Sequence, residues 1–172
     1  MMKTVSALIM PFILLCSSMA NAEVQVGFSP DGNAEPLVLK TLSQATVSID
    51  LAAYAFTSKP VARVLLAAKR RGVSVRVLAD KQSTSERYSA ITFLANQGVS
   101  VRLNGRYAIQ HSKFALIDGE TVQTGSLNYT HSAFTRNVEN VVVIRGESAV
   151  SQAYQQEFER LWAEGTPLNA HY

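Results

Sequence analysis

Between Ile109 and Thr130 the chain reads IQHSKFALIDGETVQTGSLNYT, which gathers groups able to attack or hold a phosphate. His111 and Lys113 stand two residues apart, Asp118-Gly119 follows, and Gly125-Ser126 precedes Asn128. An imidazole can act as a nucleophile or move a proton near neutral pH. A lysine ammonium and an asparagine amide offer donors to phosphate oxygens and to the charge that grows on them in a transition state. No group of metal-ligating residue types surrounds the stretch. If His111 to Ile117 is extended, His111, Lys113, Ala115 and Ile117 share one face, with the first two Cα atoms about 6.5–7 Å apart. That separation can bracket one phosphate group. Asp118-Gly119 predicts a tight turn that folds Thr121–Thr124 back beside the first strand. Gly125 then permits a close backbone approach, and Ser126 and Asn128 add donors to the same rim.

Strands and helices alternate around this stretch. Val24–Phe28 reads as a strand, Pro36–Gln44 has helical spacing, and Thr46–Ala52 returns to alternation. Ser58-Lys59-Pro60 predicts an N-cap followed by proline in a first helical turn, with Gly72 as the stop. Val73–Ala79 predicts a strand, Glu86–Gln97 a helix ended by Gly98, and Val99–Leu103 a strand. Phe114–Ile117, Thr121–Thr124 and Val138–Ile144 complete the strands. A last helix over Glu147–Ala163 carries Tyr154, Phe158, Leu161 and Trp162 on one face, a pattern of core packing. This order predicts an α/β fold, a mixed sheet with helices on both faces. Neither G-x-G-x-x-G nor G-x-x-x-x-G-K-[ST] occurs, so nothing in the sequence supports a nucleotide cofactor.

Residues 1–22 are expected to be a signal peptide. Lys3 is followed by the apolar run Val5–Cys16 and then by Ala20-Asn21-Ala22, an A-x-A-like cleavage site. The run is shorter than the ~20 residues a spanning helix needs. Export to a periplasm or beyond, and one domain over 23–172, are the corresponding expectations. Cys16 is the chain's one cysteine. Its removal leaves no thiol for catalysis, for disulfides or for metal ligation. With 16 Lys and Arg against 13 Asp and Glu, and Lys3 lost with the signal, the mature charge favours polyanions only slightly. Lys69-Arg70-Arg71 reads as a helix end facing water.

Together, His111, Lys113, Asp118, Gly125, Ser126 and Asn128 form H-x-K-x4-D-x6-G-S-x-N, which resembles in full the HKD motif of the phospholipase D superfamily. The short chain with a single motif resembles that superfamily's small bacterial endonucleases. The resemblance implies an α-β-α sandwich and a metal-independent phosphodiesterase with no cofactor. It casts His111 as the nucleophile that forms a phosphohistidine, and Lys113 and Asn128 as the groups holding phosphate oxygens. Ser126 is expected to hydrogen-bond within the site, and Asp118 to support it without carrying protons. Glu139 matches the family's acidic residue that orients the histidine. It opens the apolar run VENVVVI, where an unpaired carboxylate would be costly.

Larger members of the superfamily carry two motifs, whose histidines serve as nucleophile and general acid. Here His131 and His171 sit in no matching context. His171 is next to last and expected to fray, and His131 is expected in a solvated loop. A two-fold homodimer with His111 near its axis supplies the second imidazole, because residues near such an axis meet their own copies. The expected substrate is nucleic acid, DNA or also RNA, bound through its backbone. Tyr54, Phe56 and Tyr107 are candidate stacking residues that could equally be core. The alternatives are a lipid phosphodiesterase or phosphatidyl transferase using the same site, and an inactive nucleic-acid-binding module.

Overall fold

The structure is a computed structural model that describes residues 22–84 and 89–169. The expected signal peptide, except Ala22, and His171 therefore lie outside the described residues.

Eight strands form one mixed sheet in the order β1-β7-β6-β5-β2-β3-β4-β8. They are β1 (Glu23–Ser29), β2 (Ser48–Ala53), β3 (Ser74–Asp80), β4 (Ser100–Asn104), β5 (Phe114–Ile117), β6 (Thr121–Gly125), β7 (Glu139–Arg145) and β8 (Thr166–Pro167). β2, β3 and β4 run parallel through helical crossovers, and every other neighbouring pair is antiparallel. The helices are α1 (Ala34–Ser43), α2 (Lys59–Arg70), α3 (Ala90–Asn96), α4 (His131–Thr135) and α5 (Ser148–Glu164). The start of the helix expected at Glu86 falls outside the described residues. α4 was not anticipated, because five residues are too few to show a period.

The helices α2, α3 and α4 begin where a side chain can receive their unpaired N–H groups. Ser58 accepts from Val61 N with Pro60 in the first turn of α2, Ser89 accepts from Ile91 N, and Thr130 accepts from Ala133 N. Alternation along the strands then divides the core. Ile49, Leu51, Val75, Val77, Ala115, Ile117, Val141 and Val143 pack beneath α1 to α4. Ala52, Leu78 and Phe114 face Phe158 and Leu161 of α5 on the opposite side. The aromatic stripe expected on the last helix is thus core, with Phe114 edge-on to Tyr154 at 4.9 Å and Phe158 stacked on Trp162 at 5.6 Å.

A cation fixes α5 against the sheet. The Arg76 guanidinium binds both oxygens of buried Asp50 at 2.7 Å and reaches Glu159 at 2.6 Å. It also lies 4.9 Å from the Phe158 ring centre and 5.3 Å from that of Trp162. The hydrogen bonds from Arg76 to Asp50 first, and to Glu159 as well, outweigh its desolvation and hold its pKa above the ordinary value. This clamp matters for the site, because α5 contributes one wall of it.

Candidate active site

Antiparallel pairing brings the start of β5 and the ends of its neighbours to one edge of the sheet. Phe114 pairs with Ala52 on one side and Thr124 on the other, and Gly125 pairs with Val141. The carboxyl ends of the parallel strands β2 and β3 open at the same edge, where open α/β sheets place their ligands. A cleft of about 430 Å³ lies there, lined by His111, Lys113, Thr124, Ser126, Tyr154 and Glu157 among others.

His111 and Lys113 enter this cleft from a segment that precedes β5. The strand spans Phe114–Ile117 as expected, and His111 and Lys113 lie just before it. The His111 residue is exposed, and its ring packs 4.7 Å from that of Tyr54 at a tilt of 55°. Lys113 is buried to 8% exposure. Its ammonium donates to the His111 carbonyl at 2.6 Å and sits 5.3 Å from the Tyr54 ring centre. Desolvation lowers the Lys113 pKa from its ordinary value, although the Glu139 carboxylate acts in the opposite direction. An ammonium carries three N–H groups, so Lys113 keeps donors for a bound phosphate.

The second half of the motif is placed by β6 and the loop after it. Gly125 has φ +149°, and a Cβ there would come within 2.3 Å of the Asn140 carbonyl. Only glycine lets β6 pass β7 this closely. Asn128 is half-buried, and its Oδ1 accepts from Ala55 N at 3.5 Å. Among the described residues its Nδ2 has no partner, and it is free to donate. Thr57 N and Ser58 N both donate to the Tyr129 carbonyl, which joins the motif loop to the loop after β2.

Ser126 and Glu139 act as a pair. Ser126 Oγ donates to Glu139 Oε2 at 2.5 Å and accepts from Asn140 N at 3.1 Å. Asn137 Nδ2 donates to the other carboxylate oxygen at 3.2 Å. No hydrogen bond joins Glu139 to the His111 ring, contrary to the expected orienting contact. The sheet order gives the reason: β6 lies between β5 and β7, which separates those strands by about 9.5 Å. Glu139 instead positions Ser126 and lends its charge to Lys113.

Asp118 does not reach the cleft, a correction to its place among the site residues. It sits beyond the far end of β5, at φ +55° beside Gly119 at +70°, the paired positive values that an I′ turn requires. Its carboxylate accepts from Thr46 N, Val47 N, Ser48 N and Thr46 Oγ1 at 2.8–3.1 Å. Burial raises its pKa, but hydrogen bonds from Ser48, Val47 and Thr46 prevail and hold it below the ordinary carboxylate range. Asp118 ties the β5–β6 hairpin to the start of β2.

His131 opens α4 and is exposed. Of the candidate stacking residues, Tyr54 belongs to the site, Phe56 is core at 1% exposure, and Tyr107 bonds Arg160 and Glu164. The cleft walls formed by Tyr154 and Glu157 escaped sequence reasoning. Their periodicity marks a packed helix, and nothing local shows which strand edge that helix covers. Tyr154 Oη donates to Thr124 Oγ1 at 3.3 Å and closes that wall. Among the described residues no three His, Cys, Asp or Glu side chains are grouped as metal ligands would be.

A mixed sheet with an exposed imidazole, a buried ammonium and a free amide at one strand edge defines a phospholipase D-like α/β domain. Known proteins agree. The family described as "Cardiolipin synthase, PLD-like domain" matches residues 38–162. The mitochondrial cardiolipin hydrolase of Xenopus laevis is 41% identical over 135 residues, 78% of this chain and 64% of that protein. The chain thus spans under two thirds of that relative. A phospholipase D of Rickettsia prowazekii is 30% identical over 144 residues, 84% of this chain and 70% of that one. Among solved structures, Nuc from Salmonella typhimurium, a phospholipase D family member, superposes with a TM-score of 0.85 at 37% identity, covering 87% of this chain and all of that one. NucT from Helicobacter pylori shares the fold at a TM-score of 0.76 and 21% identity. The chain belongs to the phospholipase D superfamily.

Proposed function

We propose that the protein is a metal-independent phosphodiesterase that cleaves nucleic acid as a sequence-nonspecific endonuclease. The observation that carries this reading is the placement in one open cleft of exposed His111 and the desolvated Lys113 ammonium, which bonds the His111 backbone carbonyl. A nitrogen of His111 attacks phosphorus, a P–N bond forms, and the P–O bond to the leaving nucleoside breaks. The leaving oxygen takes a proton from a protonated imidazole, that of His111 from a second subunit. Water then attacks the phosphohistidine, gives its proton to that second imidazole, and releases His111. Lys113 and Asn128 donate to the equatorial oxygens throughout. Ser126, held by Glu139, is positioned on the same rim.

The homodimer is supported by the single motif and by the exposure of apolar residues near the site. Ile109 is 43% exposed two residues before His111, and Val138 is 91% exposed beside Glu139. Export is supported by β1, which starts at Glu23, the first residue after the expected cleavage. Among the described residues no helix is long and apolar enough to cross a membrane.

A second reading, hydrolysis of a lipid phosphodiester by the same residues, is favoured by the cardiolipin hydrolases among the relatives. Incubation of the mature protein with plasmid DNA and with cardiolipin vesicles, both in excess chelator, decides between them. Nicking of DNA that disappears in His111→Ala supports the nuclease. Lipid cleavage alone supports the second reading, and loss of activity in chelator removes the metal-independent mechanism.

A further inference from the structure

A second groove, about 340 Å³ in volume, opens between the starts of α2 and α3 and is lined by Thr57, Lys59, Arg63, Ser89 and Phe93 among others. It begins where the catalytic loop ends. Thr57 N and Ser58 N are bonded to the carbonyl of Tyr129, the residue after Asn128, and Ala90 N is bonded to the Phe56 carbonyl. The loop carrying Tyr54, which touches His111, is therefore the strip of chain separating the two depressions.

The charge on this side is one-sided. α2 reads KPVARVLLAAKR and α3 reads AITFLAN, with no acidic residue in either. Lys59, Arg63 and Arg70 are exposed at spacings that keep them within about 40° of one another around the helix. Among the described residues none of these three side chains has a hydrogen bond or an ion pair. α5, on the other side of the catalytic cleft, differs. Its Glu157 and Glu164 are paired with Arg160, and Glu159 with Arg76. Lys59, Arg63 and Arg70 therefore offer a polyanion leaving the cleft cations that are not already neutralised, as Arg160 and Arg76 are at α5.

Phe93 gives the groove its second character. It is 49% exposed, although it is a large apolar residue on a helix with a packed face available. Phe93 is the large apolar side chain left exposed among the described residues of α2 and α3. A membrane-seeking helix instead presents several such residues on a convex face. One aromatic ring in a concavity, with two cations beside it, suits a base stacked on the ring while flanking phosphates meet the cations.

Resting on the nuclease reading, we propose that the α2–α3 groove is a subsite for single-stranded nucleic acid, in which Phe93 stacks one unpaired base and Lys59 and Arg63 hold adjacent phosphates of the strand that runs to His111. The subsite gives the enzyme a preference for longer single strands without changing the chemistry at phosphorus.

The test compares wild type, Lys59→Ala/Arg63→Ala, Phe93→Ala, Phe93→Trp and a control, Lys40→Ala on α1. Substrates are single strands of about 3 and about 20 nucleotides, and the small diester bis(p-nitrophenyl) phosphate. The expected result is a KM for the long strand raised roughly 10-fold in the double variant and in Phe93→Ala, the size of losing one stacked base or two phosphate contacts. Phe93→Trp and Lys40→Ala retain wild-type KM, and all variants hydrolyse the small diester at the wild-type rate. The salt slope of log KM falls by about 1.4 in the double variant, as two lost contacts to a single strand require. Wild-type KM values in both groove variants overturn the subsite and leave the nuclease reading intact. A wild-type protein that turns over the diester but neither strand overturns the nuclease reading, and the subsite with it. Loss of binding to phosphatidylglycerol vesicles, with strand affinity unchanged, reassigns the face to lipid and also overturns the proposal.

Discussion

Ser126 Oγ donates a 2.5 Å hydrogen bond to Glu139 Oε2 and fixes the motif loop to the first residue of β7. The carboxylate that a nucleophilic histidine could have claimed is occupied by a neighbouring hydroxyl and by Asn137. Replacing Glu139 with Gln keeps the shape, removes the charge and leaves Ser126 a weaker acceptor. A fall in kcat of about 10-fold is expected, together with a lower pH at which Lys113 loses its proton, since Glu139 helps to keep that ammonium charged. An unchanged alkaline limb in the pH–rate profile would show that the two groups are not coupled.

The proposed mechanism makes activity depend on the His111 imidazole and on its copy in a second subunit. His111→Ala is expected to lower kcat by at least about 10³-fold with folding intact, the scale of losing a nucleophile. Co-expression with an excess of this variant should reduce the activity of each wild-type subunit, because mixed dimers hold one imidazole where two are needed. Constant activity per wild-type subunit, or a fully active monomer by light scattering, would remove the shared site.

The burial of Lys113 predicts the alkaline limit of catalysis. Its pKa lies below the ordinary lysine value, so its charge is lost as pH rises through the lowered value. The kcat/KM profile is expected to fall earlier than an unburied lysine would allow. Lys113→Arg, which cannot lose its proton in that range, should abolish this limb while reducing the rate through its different shape.

Asp118 is expected to act on stability and not on chemistry. Its folded pKa is depressed, so its contribution is complete above the unfolded carboxylate pKa of about 3.9. It is lost as pH falls through the folded value. Asp118→Ala removes the acceptor shared by Thr46, Val47 and Ser48 and should cost about 1–3 kcal/mol at neutral pH. Denaturant unfolding should find that cost, shrinking toward acid, with kcat preserved in the folded fraction. A large loss of kcat at full stability would instead put Asp118 in the chemistry.

Gly125→Ala is expected to damage both fold and site. The added methyl meets the Asn140 carbonyl at 2.3 Å on a backbone with φ +149°, at a cost of about 2 kcal/mol or more. Relief of that clash must move β6 from β7 and carry Ser126 away from Glu139. A variant with wild-type melting temperature and kcat would contradict this account.

Much of the molecule was legible in local patterns. The strand, turn and strand from Phe114 to Thr124 follow from alternation and from Asp118-Gly119, and the Ser58 cap and Pro60 place the start of α2. The motif from His111 to Asn128 sufficed to recognise the superfamily by resemblance, because its residues lie within one short stretch of chain around a single hairpin. Partners across the sheet were not legible. Glu139 binds Ser126 because β6 separates it from β5, and Asp118 meets Thr46 because β5 lies beside β2, more than 70 residues away in sequence. Tyr154 and Glu157 wall the cleft because Arg76 holds α5 over that edge. Periodicity tells a side chain which face it occupies. Which other side chain waits there depends on the order of strands, a long-range choice settled by packing the whole sheet at once.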